Sequence, residues 1–196
     1  MPRPACYRSA GRDVVDLSSQ REHLRIARAA LVEYFRTGRG PDAELPAQDD
    51  AGGVFVSLHV ITGDGERELR GCLGTLQLRE PLARAVNRMA VAAATRDPRF
   101  PPVRPEELTD LEIEISVLTV PRPLDSPDDL VLGRHGLHVS RGEHRGLLLP
   151  QVATEHGWDR EQFLAQACVK AGLPEDAWRD AGTRVEYFSA DVFRDR

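Results

Sequence analysis

Cysteine is scarce in this chain: Cys6, Cys72 and Cys168 are the only three among 196 residues. An odd number of thiols with no CxxC spacing builds neither a disulfide framework nor a zinc ribbon. The expectation is a reduced, cytoplasmic protein. No apolar run approaches the roughly 20 residues that span a bilayer. Residues 1–12 are basic but lack the apolar stretch of a signal peptide. Aromatic residues make up only 6%, and the net charge is -5. Without a basic face carrying aromatic platforms, nucleic-acid binding is disfavoured. There is no HExxH, no Cys/His cluster, no internal repeat and no low-complexity segment.

What is present is ordinary for a globular chain, with 41% hydrophobic and 29% charged residues, and the length suffices to bury a core. Residues 1–18 have no clear period and read as a loose arm, leaving 19–196 as a single domain. Ser19 and Glu22 form a capping box ahead of Leu24, Ala27, Leu31, Tyr34 and Phe35, which recur at helical spacing up to Gly38. After a Gly-, Pro- and Asp-rich connection, Val54–Ile61 reads as a strand that turns at Thr62–Gly65. Pro81 opens a second helix along Leu82, Val86, Met89, Ala90 and Ala93. Asp97-Pro98-Arg99-Phe100 forces an extended connection, in which Asp97 and Arg99 can bracket a turn as an ion pair. Leu111, Ile113, Ile115 and Val117 alternate with polar residues, as in a half-buried antiparallel strand. Residues 137–149 read as a hairpin turning at Arg141–Glu143. Asp159 and Gln162 cap a further helix, a short helix surrounds Trp178, and Val185–Phe188 begins a last strand. The pattern predicts an α+β fold, mainly antiparallel sheet with flanking helices, without regular βαβ alternation.

The strand returning from Thr62–Gly65 contains Leu69-Arg70-Gly71-Cys72-Leu73-Gly74-Thr75. Glycine weakens a strand interior and marks a bend or a close backbone approach; here two glycines flank a thiol. Pairing Ile61 with Glu66 sets His59 opposite Glu68, Ser57 opposite Arg70 and Phe55 opposite Cys72. One face then carries Val54, Val56, Leu58 and Val60 with Leu69, Gly71 and Leu73. The other carries Ser57, His59, Glu68, Arg70 and Cys72.

Six segments then follow in one order: Leu69–Thr75, Asp97–Phe100, Leu111–Leu118, Gly133–Leu137, Leu149–Val152 and Lys170–Pro174. Together they resemble the AMMECR-type domain, whose bacterial branch is called AmmeMemoRadiSam system protein A. The resemblance covers about residues 20–194, with Leu73 where the family usually has isoleucine. It implies larger and smaller lobes around a cleft, with the Arg70–Gly74 segment near it. It also implies partners of the Memo type and the radical S-adenosylmethionine type, beside which bacterial members are often encoded, and attaches no reaction to the domain. No cofactor is implied for the domain itself.

The residues support more than one chemistry. In the first reading the protein is a thiol-using enzyme or enzyme component, and Cys72 is the nucleophile or substrate anchor. Arg70 would lower the thiol pKa or clamp an anionic substrate, and the Gly71 and Gly74 amides would approach an oxyanion. In the register above His59 lies about 13 Å from Cys72, too far for direct proton transfer, so a base would come from His135, His138 or His144. The structural alternative is an inert Cys72 in a strand bend. In the second reading the chain is a non-catalytic adaptor or small-molecule-binding domain. Its anion pocket would then use Arg70, Arg99 and the Gly133–Gly136 turn with His135. A metal site is a third alternative, but His135 and His138 do not share a strand face.

Overall fold

The computed structural model describes residues 15–40, 51–63 and 65–195. Cys6 and most of the expected arm lie outside these. Helix α1 spans Leu17–Thr37. It starts earlier than the Ser19 box suggests, because Asp16 Oδ1 accepts from the amides of Ser18 and Ser19 at 2.8 and 2.9 Å. That carboxylate satisfies two otherwise orphaned N–H groups of the first turn. Helix α2 spans Leu82–Thr95 and follows Pro81 as expected.

Strands β1 (Ala51–Ile61), β2 (Arg67–Thr75) and β3 (Leu111–Thr119) are followed by the two-residue β4 (Arg122–Pro123). The expected hairpin is β5 (His135–Arg141) with β6 (His144–Leu148). A short helix not anticipated from the sequence, α3 (Pro150–Glu155), precedes α4 (Arg160–Lys170). Asp159 and Gln162 cap α4 reciprocally. The last strand, β7 (Arg184–Arg194), is 11 residues long. All pairings are antiparallel, and the strand order is β2-β1-β3-β7-β5-β6 with β4 beside β7. The α+β fold with a mainly antiparallel, curled sheet is therefore the observed one.

Two hydrophobic cores of unequal size lie on this sheet. The larger joins α1 and α2 to Val54, Val56 and Leu58 of β1, Leu111–Val117 of β3 and Phe193 of β7. The smaller joins α3 and α4 to Leu137 and Val139 of β5 and to Val185 and Tyr187 of β7. Val185, Tyr187 and Phe193 are all odd-numbered, and successive side chains of a strand point to opposite faces. The same face of β7 thus feeds both cores. Among the described residues, α1, α2, α3 and α4 all pack on this side of the sheet, and no helix packs on the other.

The β1–β2 register differs from the expected one. Ser57 faces Cys72, Phe55 faces Gly74 and His59 faces Leu69, while Leu58 faces Gly71. Arg70 is the extra residue of a β-bulge at Leu58/His59. Two residues of β2 there oppose one of β1, which bends the strand locally. At the turn Ile61 faces Arg67, one residue beyond the expected Glu66, so Leu69, expected in the core, stands opposite His59 and is 37% exposed. Leu73 packs against the larger core as expected.

The bulge brings β2 hard against the end of α2. A Cβ on Gly71 would stand 2.2 Å from the Ala93 carbonyl oxygen, and one on Gly74 would stand 2.3 Å from the Phe55 ring. Neither neighbour is the tip of a flexible chain, so only glycine permits this approach. Gly71→Ala is expected to destabilise the fold by about 1–3 kcal/mol, as overpacking does. The drop would be read as a lower denaturant midpoint at unchanged slope.

Candidate functional site

Strand β2 ends the sheet, so its outward backbone groups need partners other than a neighbouring strand. In an antiparallel ladder the N–H and C=O of one residue point to the same side. At Cys72 that side is the open edge. Its N–H donates to Asp97 Oδ2 at 2.8 Å, and its C=O accepts from Arg99 Nη2 at 3.4 Å. The expected Asp97–Arg99 ion pair is present, with Nη2 2.7 Å from Oδ2 and Nε 3.0 Å from Oδ1. One carboxylate and one guanidinium thus stand in for a missing strand. Arg99 and the Cys72 and Arg99 amides hold the buried Asp97 carboxyl well below the ordinary carboxylate range, against the opposing effect of burial. By the same alternation the Gly74 N–H points out of this edge.

Arg70, the bulge residue, is committed elsewhere. Its Nε donates to Glu107 Oε2 at 2.8 Å and its Nη2 to Glu107 Oε1 at 3.2 Å. Nη1 and Nη2 also reach the carbonyls of Pro101 and Pro102, at 2.8 and 3.2 Å. This fork latches β2 to the segment after α2. The Arg70 guanidinium lowers the Glu107 carboxyl to about 2, with further contributions from Arg104.

On the helix-free face, Ser57 Oγ donates to Cys72 Sγ at 3.2 Å. Ser57 also pairs with Glu114 of β3, and Glu114 in turn with Arg194 of β7. Cys72, Ser57, Glu114 and Arg194 therefore form one row across four strands. The adjacent row is Leu69, His59 and Glu112. Arg67 ties the rows together, donating from Nε to Glu112 Oε1 at 2.7 Å and from Nη2 to Glu114 Oε2 at 3.1 Å. Arg67 Nη2 also lies 3.3 Å from His59 Nδ1. A guanidinium only donates, so this geometry places the proton of a neutral His59 on Nε2. Burial, and then the Arg67 charge, depress the basicity of His59. In the observed register His59 stands two residues along β1 from Ser57, a separation of about 7 Å, roughly half the distance expected from the sequence.

The residues singled out from the sequence thus divide into two groups. Cys72, Gly71, Gly74, Arg70 and Arg99 converge on β2 and the segment beside it. His135 does not join them. It lies on β5, four strand steps away along the sheet, about 19 Å at some 4.8 Å per step. Its Nδ1 accepts from the Val131 amide at 3.2 Å, and its ring rests on Tyr187 at 4.7 Å. Burial and Arg134 lower its basicity. His138 meets Glu186 at 3.1 Å, and His144 Nδ1 lies 3.2 Å from the Ala171 carbonyl. None of the three histidines offered as a base thus lies on β2 or the strands next to it. Among the described residues no group of three or more His, Cys, Asp or Glu is arranged to hold a metal ion. Sequence reasoning missed Glu107 and the pairing of Ser57 with Cys72. Alternation had placed Ser57 on the right face; its partner was decided by a one-residue shift at the turn, where Ile61 faces Arg67, and a second at the bulge.

The family model described as AMMECR1 matches residues 24–193. A protein of Thermococcus gammatolerans is 47% identical over 180 residues, covering 88% of each chain. One of Thermofilum pendens is 47% identical over 184 residues, covering 87% of this chain and 86% of its own. The crystal structure of the uncharacterized protein PH0010 from Pyrococcus horikoshii superposes with a TM-score of 0.78 at 42% identity. It covers 89% of this chain and 90% of its own.

The carboxylates give this region a defined response to acid. Glu107 has its folded-state value depressed, from 4.5 to about 2. Its contribution to stability is therefore complete above about 4.5 and is lost as pH falls towards 2. Glu107→Gln is expected to lower stability at neutral pH and to flatten the loss below 4.5, as followed by thermal unfolding across pH.

Proposed function

For this chain, which belongs to the AMMECR1 family, we propose the role of a cytoplasmic thiol-using enzyme or enzyme component. Cys72 is its nucleophile or substrate anchor, and Memo-type and radical S-adenosylmethionine proteins are its partners. The observation that carries this reading is the treatment of Cys72 itself. Its outward N–H and C=O are fixed by Asp97 and Arg99, while its half-buried side chain lies on the face that, among the described residues, no helix covers. A thiol kept only for packing would be directed into the core, as Cys168 is. The side chain of Arg99 is 56% exposed beside the Cys72 carbonyl and offers a cation to an anionic part of the substrate. The Gly74 N–H offers a donor on the same edge. Arg70 serves the site as a latch on β2, since its fork is taken up by Glu107 and two carbonyls.

The adaptor reading is favoured by a separate observation. Leu69, Ile61 and Val192 are all exposed, and strand alternation places them on the helix-free face around Cys72. A partner docking there would cover the thiol. A stoichiometric complex with the Memo-type protein that forms equally well with Cys72→Ser would support it.

The thiol reading is tested in the full chain carrying Cys6→Ser. Cys168 is fully buried, so Cys72 is then the one accessible thiol. Alkylation by iodoacetamide at neutral pH should be faster than that of a small unperturbed thiol and should map to Cys72 by mass spectrometry. A rate no greater than that of the small thiol would remove the reading.

A further inference from the structure

We propose that Arg70 governs the reactivity of Cys72 through geometry rather than charge. In this scheme the Arg70–Glu107 latch holds the β2 bulge, and the bulge places Ser57 Oγ as a hydrogen-bond donor to the Cys72 sulfur. The inference rests on the thiol reading and adds the two residues that set the thiol's chemistry, Ser57 and Arg70, both as positioning residues.

The argument starts from the register. Without the extra residue at Arg70, continuing the pairing of Ile61 with Arg67 and His59 with Leu69 would set Ser57 opposite Gly71. A one-residue slip turns every side chain to the other face. Cys72 would then lie on the helix side, under α2, and Ser57 would face no side chain. Absorbing one residue at position 70 restores the alternation, so that Gly71 meets Ala93 and Cys72 meets Ser57. A bulge leaves its extra residue without a ladder partner, so other contacts must hold that residue if it is to be fixed. Here those contacts are the four-bond fork of Arg70 to Glu107, Pro101 and Pro102. A lysine at this position retains the charge but cannot make such a fork.

The electrostatic surroundings point the same way. Groups facing the Cys72 region are His59 from β1, Glu112 and Glu114 from β3, Arg67 from β2, Asp97 and Arg99 from the edge segment, and Arg194 from β7. Arg67 is spent on Glu112 and Glu114, Arg99 on Asp97, and Arg70 on Glu107. Arg67, Arg70 and Arg99 each have a carboxylate partner. On the sulfur itself the Ser57 hydroxyl donates, and the Arg99 guanidinium interacts with the same thiol. A hydrogen bond to the charged form favours that form.

The test follows iodoacetamide alkylation of Cys72 against pH in the full chain with Cys6→Ser. The thiolate sulfur displaces iodide from the probe's methylene carbon, so the carbon–sulfur bond forms as the carbon–iodine bond breaks. Ser57→Ala is expected to move the pH midpoint upward and slow the neutral-pH rate about tenfold, the worth of one charge-assisted hydrogen bond. Ser57→Thr, which keeps the hydroxyl, should restore the profile. Glu107→Gln separates geometry from charge. If Arg70 acted by charge, removing its counter-ion would speed alkylation; if it holds the bulge, alkylation slows. Arg70→Lys should likewise slow it, and neither latch variant should add to Ser57→Ala. Faster alkylation in Glu107→Gln, or additive losses, would overturn the inference while leaving the thiol reading intact. An unreactive Cys72 in the parent chain would overturn both.

Discussion

The open edge of β2 is the constraint around which the site is built. An end strand exposes a row of backbone donors and acceptors, and at Cys72 these are closed by a carboxylate and a guanidinium from the turn after α2. The same turn continues into the two proline carbonyls and Glu107 that receive Arg70. The segment between α2 and β3 thus covers the edge, fixes the thiol's backbone and holds the bulge. It does so with side chains, because Pro98, Pro101 and Pro102 lack the N–H groups a pairing strand would need.

This arrangement separates the two faces of the strand by function. Towards the helices, Gly71 admits the Ala93 carbonyl and Leu73 joins the larger core. Away from them, Cys72, Ser57 and Glu114 form a row that no helix covers. The alanines of α2 are the counterpart of Gly71, since small side chains on the helix let its backbone approach the strand. Packing on one side thereby fixes the position of a reactive group on the other. In the second core, His135 rests on Tyr187 and accepts from the Val131 amide, which gives it a structural task remote from the thiol.

Much of this was legible from the sequence because it depends on local rules. Alternation along Leu111–Val117 gave β3, the spacing of Leu82, Val86 and Met89 gave α2, and Asp159 with Gln162 gave the start of α4. The Asp97–Arg99 pair is separated by two residues and could be anticipated for that reason. The six ordered segments already pointed to the family that the match over residues 24–193 shows. The polar face of Cys72 was anticipated as well, although the turn shift and the bulge at Arg70 together keep it there.

Tertiary structure decided what parity cannot. A bulge changes the count by one residue, and nothing local at Arg70 announces it, because its cause is Glu107 and two carbonyls more than 30 residues away. Together with a one-residue shift at the turn, where Ile61 faces Arg67, the bulge made Ser57 the partner of Cys72 in place of Phe55 and brought His59 to half its expected distance, while the turn shift alone put Leu69 on the open face. The helix start moved to Asp16 by competition between two nearby caps. The sequence by itself determined that a thiol would sit between two glycines on the returning strand of a hairpin. Only the fold determined which hydroxyl touches it, because that contact depends on an ion pair closed across the whole length of α2.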